Sequence, residues 1–238
     1  MSGAGSGSGS GFPTTHATWI AGQLARGAEG RDEVHDHIMR RYADPLRAYV
    51  LGSSLRTLDD ADALVNGFFV SRLAREDYVA KWQESALPLR RWLVNGLLLH
   101  ARERMREQRR ASGGCEGCAC GTGCDSADAI ALEPSAFERF ERSWSRALLG
   151  DACALAQREL VAEDDGDAWE VFRRHFLDGI EYADIGLQLR ITAAEARTRS
   201  RRASYRFERA LRQLLEDEGV ARDDLDEEIA WLMEVSGR

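Results

Sequence analysis

The stretch Tyr182–Phe207 reads YADIGLQLRITAAEARTRSRRASYRF. It breaks at Arg190-Ile191. Before the break, Tyr182 to Leu189 reads as a short apolar helix. After it, Thr192-Ala-Ala-Glu195 has the form of a capping box, in which the Thr192 side chain accepts from the N–H of Glu195 and the Glu195 carboxylate reaches back to the N–H of Thr192. A second helix is therefore expected from Ala193. On it Ala196, Ser200, Ala203, Phe207 and Leu211 recur at three- and four-residue spacing and form a narrow inward stripe. Opposite them fall Ala194, Thr198, Arg201, Arg202, Tyr205 and Arg209, with Arg197 and Arg199 on the flanks. A helix, a tight turn, then a helix with small inner and basic outer residues is the pattern of a helix-turn-helix. Small side chains at the start of the second helix let it sit deep in a major groove. Arg binds guanine O6 and N7 bidentately, or phosphate, and a good base contact discriminates by about 1–3 kcal/mol.

Charge along the chain agrees. The whole carries a formal −8, yet between Arg190 and Arg212 there are eight Arg against Glu195 and Glu208. A second basic island runs from Arg90 to Arg110, with seven Arg against Glu103 and Glu107. The acidic excess lies in Asp59, Asp60 and Asp62, in Glu163 to Asp167, and from Glu216 to Glu228. Two basic islands in an acidic chain are a more specific sign of polyanion binding than uniform basicity. Scarce Pro and the absence of long Val, Ile and Thr runs favour an all-α fold. With 238 residues there is room for one large domain or two small ones. No apolar run approaches the roughly 18–20 residues that span a bilayer, so no membrane association and a cytoplasmic location are expected.

Two low-complexity tracts divide the chain. Residues 1–11 form a flexible Gly/Ser leader. Residues 111–133 form a Cys/Gly-rich linker between two helical domains, 12–110 and 134–238. In the first, Val34, Ile38, Tyr42, Leu46 and Tyr49 mark one helix, and Ala61, Leu64, Val65, Phe68, Phe69 and Leu73 another. A third carries Leu89, Trp92, Leu93, Leu97, Ala101 and Arg104 on one face and Arg91, Asn95, Leu98, Arg102, Met105, Arg106 and Arg109 on the other. In the second domain, Phe137, Phe140, Trp144, Leu148 and Leu149, then Trp169, Phe172, Phe176 and Leu177, precede the helix-turn-helix.

From Phe12 to about Val235 the chain resembles an extracytoplasmic-function (ECF) sigma factor of the sigma-70 family, of the planctomycete-like type. The stretches FPTTHATW, DDADALVNGFFVSRL, EPSAFERFERSWSRALL, YADIGLQLRITAAEARTRSRRASYRFERALRQLL and LDEEIAWLMEV carry the resemblance through their order and spacing. It implies that 12–110 is sigma region two and 134–238 is region four. Asp60, Asp62, Leu64, Val65, Phe68 and Phe69 would then dock on the β′ clamp helices of core RNA polymerase. Trp82, Arg91, Asn95, Arg102, Arg106 and Arg109 would meet the melted −10 strand, whose bases need rings to stack on and cations along the backbone. Ala194, Arg197, Thr198, Arg201, Arg202 and Tyr205 would read the −35 element while neighbouring helices hold the β flap. An anti-sigma protein is a further partner of such factors. Three stretches depart from the family pattern, the first being the loop Glu84 to Leu87, which lacks the usual basic, glycine-containing run. Asn66-Gly67 stands where Gln and an acidic residue are usual, and Arg190 follows Leu189 where Gly is usual.

CEGCACGTGC places Cys115, Cys118, Cys120 and Cys124 within ten residues. Four thiolates can hold tetrahedral zinc or an iron–sulfur cluster; an unstructured tether rich in cysteine is the plainer alternative. Cys153 reads as core. The histidines share no ligand spacing, no catalytic constellation stands out, and neither an enzymatic activity nor a required cofactor is expected. The expected function is promoter selection and melting by a sigma factor. The alternative is a metal- or redox-sensing regulator of the sigma fold that binds DNA or a partner without initiating transcription.

Overall fold

The helix spacing of Val34 to Tyr49 extends in both directions into a 25-residue helix, and the residues after Pro134 form one of 29. These two long helices are the spine of the molecule. The computed structural model describes residues 16–75, 77–85, 87–111, 132–218 and 220–237, among which all regular structure is helical. In order the helices are α1 (His16–Leu24), α2 (Ala28–Gly52), α3 (Ala61–Phe68), α4 (Tyr78–Gln83), α5 (Leu89–Ala111), α6 (Pro134–Ala162), α7 (Gly166–Phe176), α8 (Tyr182–Leu189), α9 (Ala193–Asp217) and α10 (Leu225–Gly237). A π-helical turn, Phe69–Leu73, continues α3, and short 3-10 turns follow α2 and precede α10.

The boundaries follow local chemistry. Asp60 caps α3, its carboxylate accepting from the N–H of Asp62 at 3.0 Å and of Ala63 at 3.3 Å. Pro88 precedes α5, and its carbonyl accepts from the N–H groups of Arg91 and Trp92 in the first turn of that helix. Pro134 occupies the first turn of α6, where a missing N–H leaves nothing unsatisfied.

The two segments expected to pack separately share one apolar core. α6 lies along α2, and it also carries α9, α7 and α10. Tyr42 of α2 stacks on Phe140 of α6 with ring centroids 6.5 Å apart, and Leu46, Phe140, Trp144 and Leu148 are all fully buried. Polar contacts pin the same seam. Glu133 accepts from the N–H and hydroxyl of Ser54 at 2.9 and 2.6 Å, which holds its carboxyl below the usual range. Tyr42 donates its hydroxyl proton to Glu218 at the end of α9, and Arg41 lies 3.7 Å from the same carboxylate. Burial raises the pKa of both Tyr42 and Glu218 and so favours their protonated forms.

Gly67 has a packing reason. A Cβ there would stand 2.9 Å from Nε2 of His100, which reaches across from α5. His100 is buried, and its Nδ1 lies 3.0 Å from the Ser71 hydroxyl. The glycine lets α3 and α5 approach at this crossing, at a helix-propensity penalty of roughly 1 kcal/mol relative to Ala.

Candidate nucleic-acid interface

The helix-turn-helix is built on a small satellite core. Val171 of α7, Ile185 of α8 and Ala196 of α9 are buried together, with Ile180, Tyr182, Leu189 and Ile191 packed around them. Gly186 permits the tight turn, since a Cβ there would lie 2.7 Å from the carbonyl oxygen of Ile191. Arg190 ends α8 in the left-handed region at φ 56°, ψ 42°, the conformation a Gly would adopt without strain. Its neighbour Ile191 then donates its N–H to the Gly186 carbonyl at 2.9 Å.

The capping box starts α9 as expected. Thr192 Oγ1 accepts from the N–H of Glu195 at 3.2 Å, and the Glu195 carboxylate accepts from the N–H of Thr192 at 2.7 Å. The Thr192 N–H, and the Thr192 hydroxyl donating at 2.9 Å, hold the Glu195 carboxyl below its ordinary value. Of the inward stripe, Ala196, Ser200, Ala203 and Leu211 are buried and Phe207 is partly so. All six residues of the expected reading face, Ala194, Arg197, Thr198, Arg201, Arg202 and Tyr205, are exposed together.

Much of that basic helix is engaged by an acidic rim. Carboxylates at the end of α6 and the start of α7 pair with it in sequence: Asp167 with Arg199 at 3.1 Å, Asp165 with Arg202 at 3.0 Å, Glu163 with Arg206 at 2.6 Å and Glu159 with Arg209. Arg197 lies over the Tyr182 ring at 5.7 Å. Arg201 makes no ion pair among the described residues, and Tyr205 is 65% exposed beside it. The acidic run Glu163 to Asp167 is visible in the sequence, but its pairing with arginines 32 to 43 residues further on is not. On the far side of α8, Glu170 clamps Arg173 and Arg174, which draws its carboxyl down to about 2, and Arg174 reaches Gln188 at 2.6 Å.

The basic face of α5 is only partly open. Arg106 and Arg109 are exposed, whereas Asn95 and Arg102 are half-buried. Arg91 lies over the Phe137 ring of α6 at 4.8 Å. Leu98, expected on this face, is buried. Trp82 is a correction to the stacking role: it is only 6% exposed, and its indole N–H donates to the Leu87 carbonyl at 2.9 Å. A base has no ring face to reach there.

The expected polymerase-docking set divides sharply. Asp60 and Asp62 are exposed, Asp62 paired with Arg47. Leu64, Val65, Phe68 and Phe69 are core residues, none more than 6% exposed, because they are the apolar side by which α3 packs on α2 and α5. The outward residues of this segment are Asp62, Ala63, Asn66 and Val70. Cys115, Cys118, Cys120 and Cys124 lie outside the described residues, and among the described residues no cluster of His, Cys, Asp and Glu is arranged to hold a metal. Cys153 is half-buried against the core, which raises its thiol. No helix among the described residues is long and apolar enough to cross a membrane.

Set against known proteins, the chain matches no family model, no curated protein and no solved structure.

Proposed function

We propose that this protein is a sigma factor of the ECF type, which directs core RNA polymerase to particular promoters and assists their melting. The observation that carries the reading is the capped helix α9. It follows a tight turn and presents Ala194, Arg197, Thr198, Arg201, Arg202 and Tyr205 on one exposed face. A helix held by small buried residues with a basic outer face suits a major groove. The exposed Arg106 and Arg109 on α5 give a second basic surface on the same chain, as a two-element promoter requires. The roles envisaged are duplex reading by α9, contact with the melted strand along α5, and polymerase docking through the carboxylates and outward face of α3. Such work takes place in the cytoplasm.

Run-off transcription with core RNA polymerase over a library of promoter fragments tests this. Transcripts starting downstream of a shared two-part element, seen only when the protein is added, are the expected outcome. A second reading is favoured by the burial of Leu64, Val65, Phe68 and Phe69, which leaves α3 little apolar surface for polymerase. On that reading the protein binds DNA as a regulator without initiating transcription. Duplex binding without co-purification with core polymerase would select it.

A further inference from the structure

An acidic helix ties the two basic ones together. α10 opens with Asp226, Glu227 and Glu228 in its first turn. Asp226 pairs with Arg212 of α9 at 2.6 Å, and Glu228 with Arg90 at the head of α5 at 2.5 Å. The Arg90 guanidinium also lies 4.9 Å from the ring centroid of Trp144 on α6 and 5.3 Å from that of Trp231 on α10. Held between two indoles and a carboxylate, the Arg90 side chain is 21% exposed. A guanidinium is attracted to the faces of both rings, and its charge is turned away from the open part of the α5 basic face.

The hold of α10 on the rest of the molecule is light. Leu225 and Leu232 are its buried residues; Ile229 and Trp231 are partly buried and Met233 is exposed. Beside it, under the Glu228–Arg90 contact, runs a cavity of about 410 Å³ bounded by Tyr42, Trp82, Trp144, Glu218 and Asp224 as well. Side chains that border this open cleft face solvent on that side, and are not packed there against other side chains. A 13-residue helix has little stability of its own, and elements with few buried contacts open below the global unfolding free energy.

We propose that α10 is a strap that opens locally, covering Arg90 when closed and releasing it as a further nucleic-acid-binding residue when open. Its opening is independent of the proposed function; that the polyanion then met by Arg90 is a melted DNA strand rests on that reading. Arg90 stands in line with the buried Val94, Leu97 and Ala101 and not on the basic face itself, so once released it adds a guanidinium at the head of α5 beside the start of that face at Arg91. A phosphate competes there with the Glu228 carboxylate for the same guanidinium.

The test uses the full chain and an arginine-selective dicarbonyl reagent, with modification at each Arg read by peptide mass spectrometry. In the double variant Glu228→Gln, Trp231→Ala the rate at Arg90 should rise about tenfold, reflecting loss of an ion pair and a cation–π contact, while the rate at the exposed Arg201 stays unchanged. Glu228→Gln alone, which removes charge without removing packing, should give a smaller rise. Met233→Ala on the outer side of α10 should give none. Equal rates at Arg90 in wild type and in both Glu228 variants would overturn the strap. Binding to a single-stranded 20-mer then tests what Arg90 meets: the double variant should bind several-fold tighter. A faster Arg90 with unchanged single-strand affinity, in a chain whose α9 still binds duplex, would overturn its DNA role. If Arg90 is released and neither wild type nor variant binds any DNA, the strap stands and the proposed function falls.

Discussion

Helices α3 and α9 distribute structural and surface duties in opposite ways. α3 is eight residues long and buries Leu64, Val65 and Phe68, with Phe69 following in the π turn. What it shows to solvent is a cap, a carboxylate and an amide. α9 is 25 residues long, buries small residues over its first three turns, and holds its charged face in place with carboxylates from α6 and α7. In α3 the residues that give the segment its character are the residues that hold it in the fold. In α9 the two sets are different side chains. Surface chemistry can therefore be changed all along α9 without touching the core, whereas on α3 only the few outward residues can be, and any change to its large apolar side chains is a change to the core.

The largest effect should break on this line. Phe68 is fully buried, edge-on to Tyr78 with centroids 6.0 Å apart. Phe68→Ala removes a ring that the surrounding helices cannot refill, and about 3–5 kcal/mol of stability should go with it, read by urea unfolding. A loss of polymerase binding in that variant would then be a consequence of unfolding. The outward replacements Asn66→Ala and Val70→Ala isolate docking, and should leave the urea midpoint nearly unchanged.

Beneath α9 a titration sharpens the comparison. His37 of α2 faces a cavity between α2, α6 and α9 with Arg40, Arg41, Asp151 and Arg158 around it. Burial first, then Arg41 and Arg40, bring its imidazole down to about 4 from 6.5. The unfolded chain takes up a proton at this residue near 6.5 and the folded chain does not until about 4. Stability contributed by the neutral ring is thus complete above 6.5, declines as pH falls through that window, and is lost by about 4. The interval corresponds to ~3 kcal/mol. Glu218 acts in the opposite sense. Its carboxyl is raised above 4.5 by burial, so acidification toward 4.5 favours the folded state at that site. The difference between wild type and His37→Gln, followed by urea unfolding at pH 7, 5.5 and 4.5, separates them. His37→Gln should lose less stability on acidification.

Helix positions were legible because periodicity is local. The α9 stripe, the capping box and the break at Arg190 all lie within a few residues of the atoms they control. The α3 residues show the limit of resemblance beside periodicity. Their three- and four-residue spacing already marked Leu64, Val65 and Phe68 as an inward face, and the docking role implied by the family drew them outward. What the sequence could not reveal is non-local. Arg90 reads as one more charge in a basic island until α10, 138 residues later, places Glu228 against it. Trp82 reads as a ring in a polar loop until Leu87 takes its N–H. The shared core of α2 and α6 escapes for the same reason. Each helix has an apolar face, and no spacing within either says which other face it will meet.

A smaller effect sits at the start of α9. Thr192→Ala removes the acceptor for the Glu195 amide and the hydroxyl that donates to the Glu195 carboxylate, leaving that carboxylate only the backbone N–H of residue 192. About 1 kcal/mol of stability should be lost, and hydrogen exchange should quicken in the first turn of α9 before it quickens at Ala203 or Leu211. Because Ala194, Arg197 and Thr198 lie in or next to that turn, duplex affinity should fall although no reading residue has changed. Equal exchange throughout α9 in wild type and variant would mean that packing on Ile185 and Val171, and not the cap, fixes the turn.

The smallest change in stability should accompany the most informative change in binding. Arg201 is exposed and makes no ion pair among the described residues, whereas its neighbour Arg202 is held by Asp165 at 3.0 Å. Removing either side chain should shift the urea midpoint by no more than about 0.5 kcal/mol. Arg201 meets DNA with its full charge and its full set of donors. Arg202 must first exchange a carboxylate for a phosphate or a base, and only the difference between the two contributes to affinity. Arg201→Ala should therefore weaken binding to a selected duplex about tenfold, and Arg202→Ala distinctly less. Asp165→Asn should narrow that gap, because it leaves Arg202 as unencumbered as Arg201. If the two arginine variants lose equal affinity, and Asp165→Asn alters neither, the acidic rim only orients side chains and does not set which arginine reads.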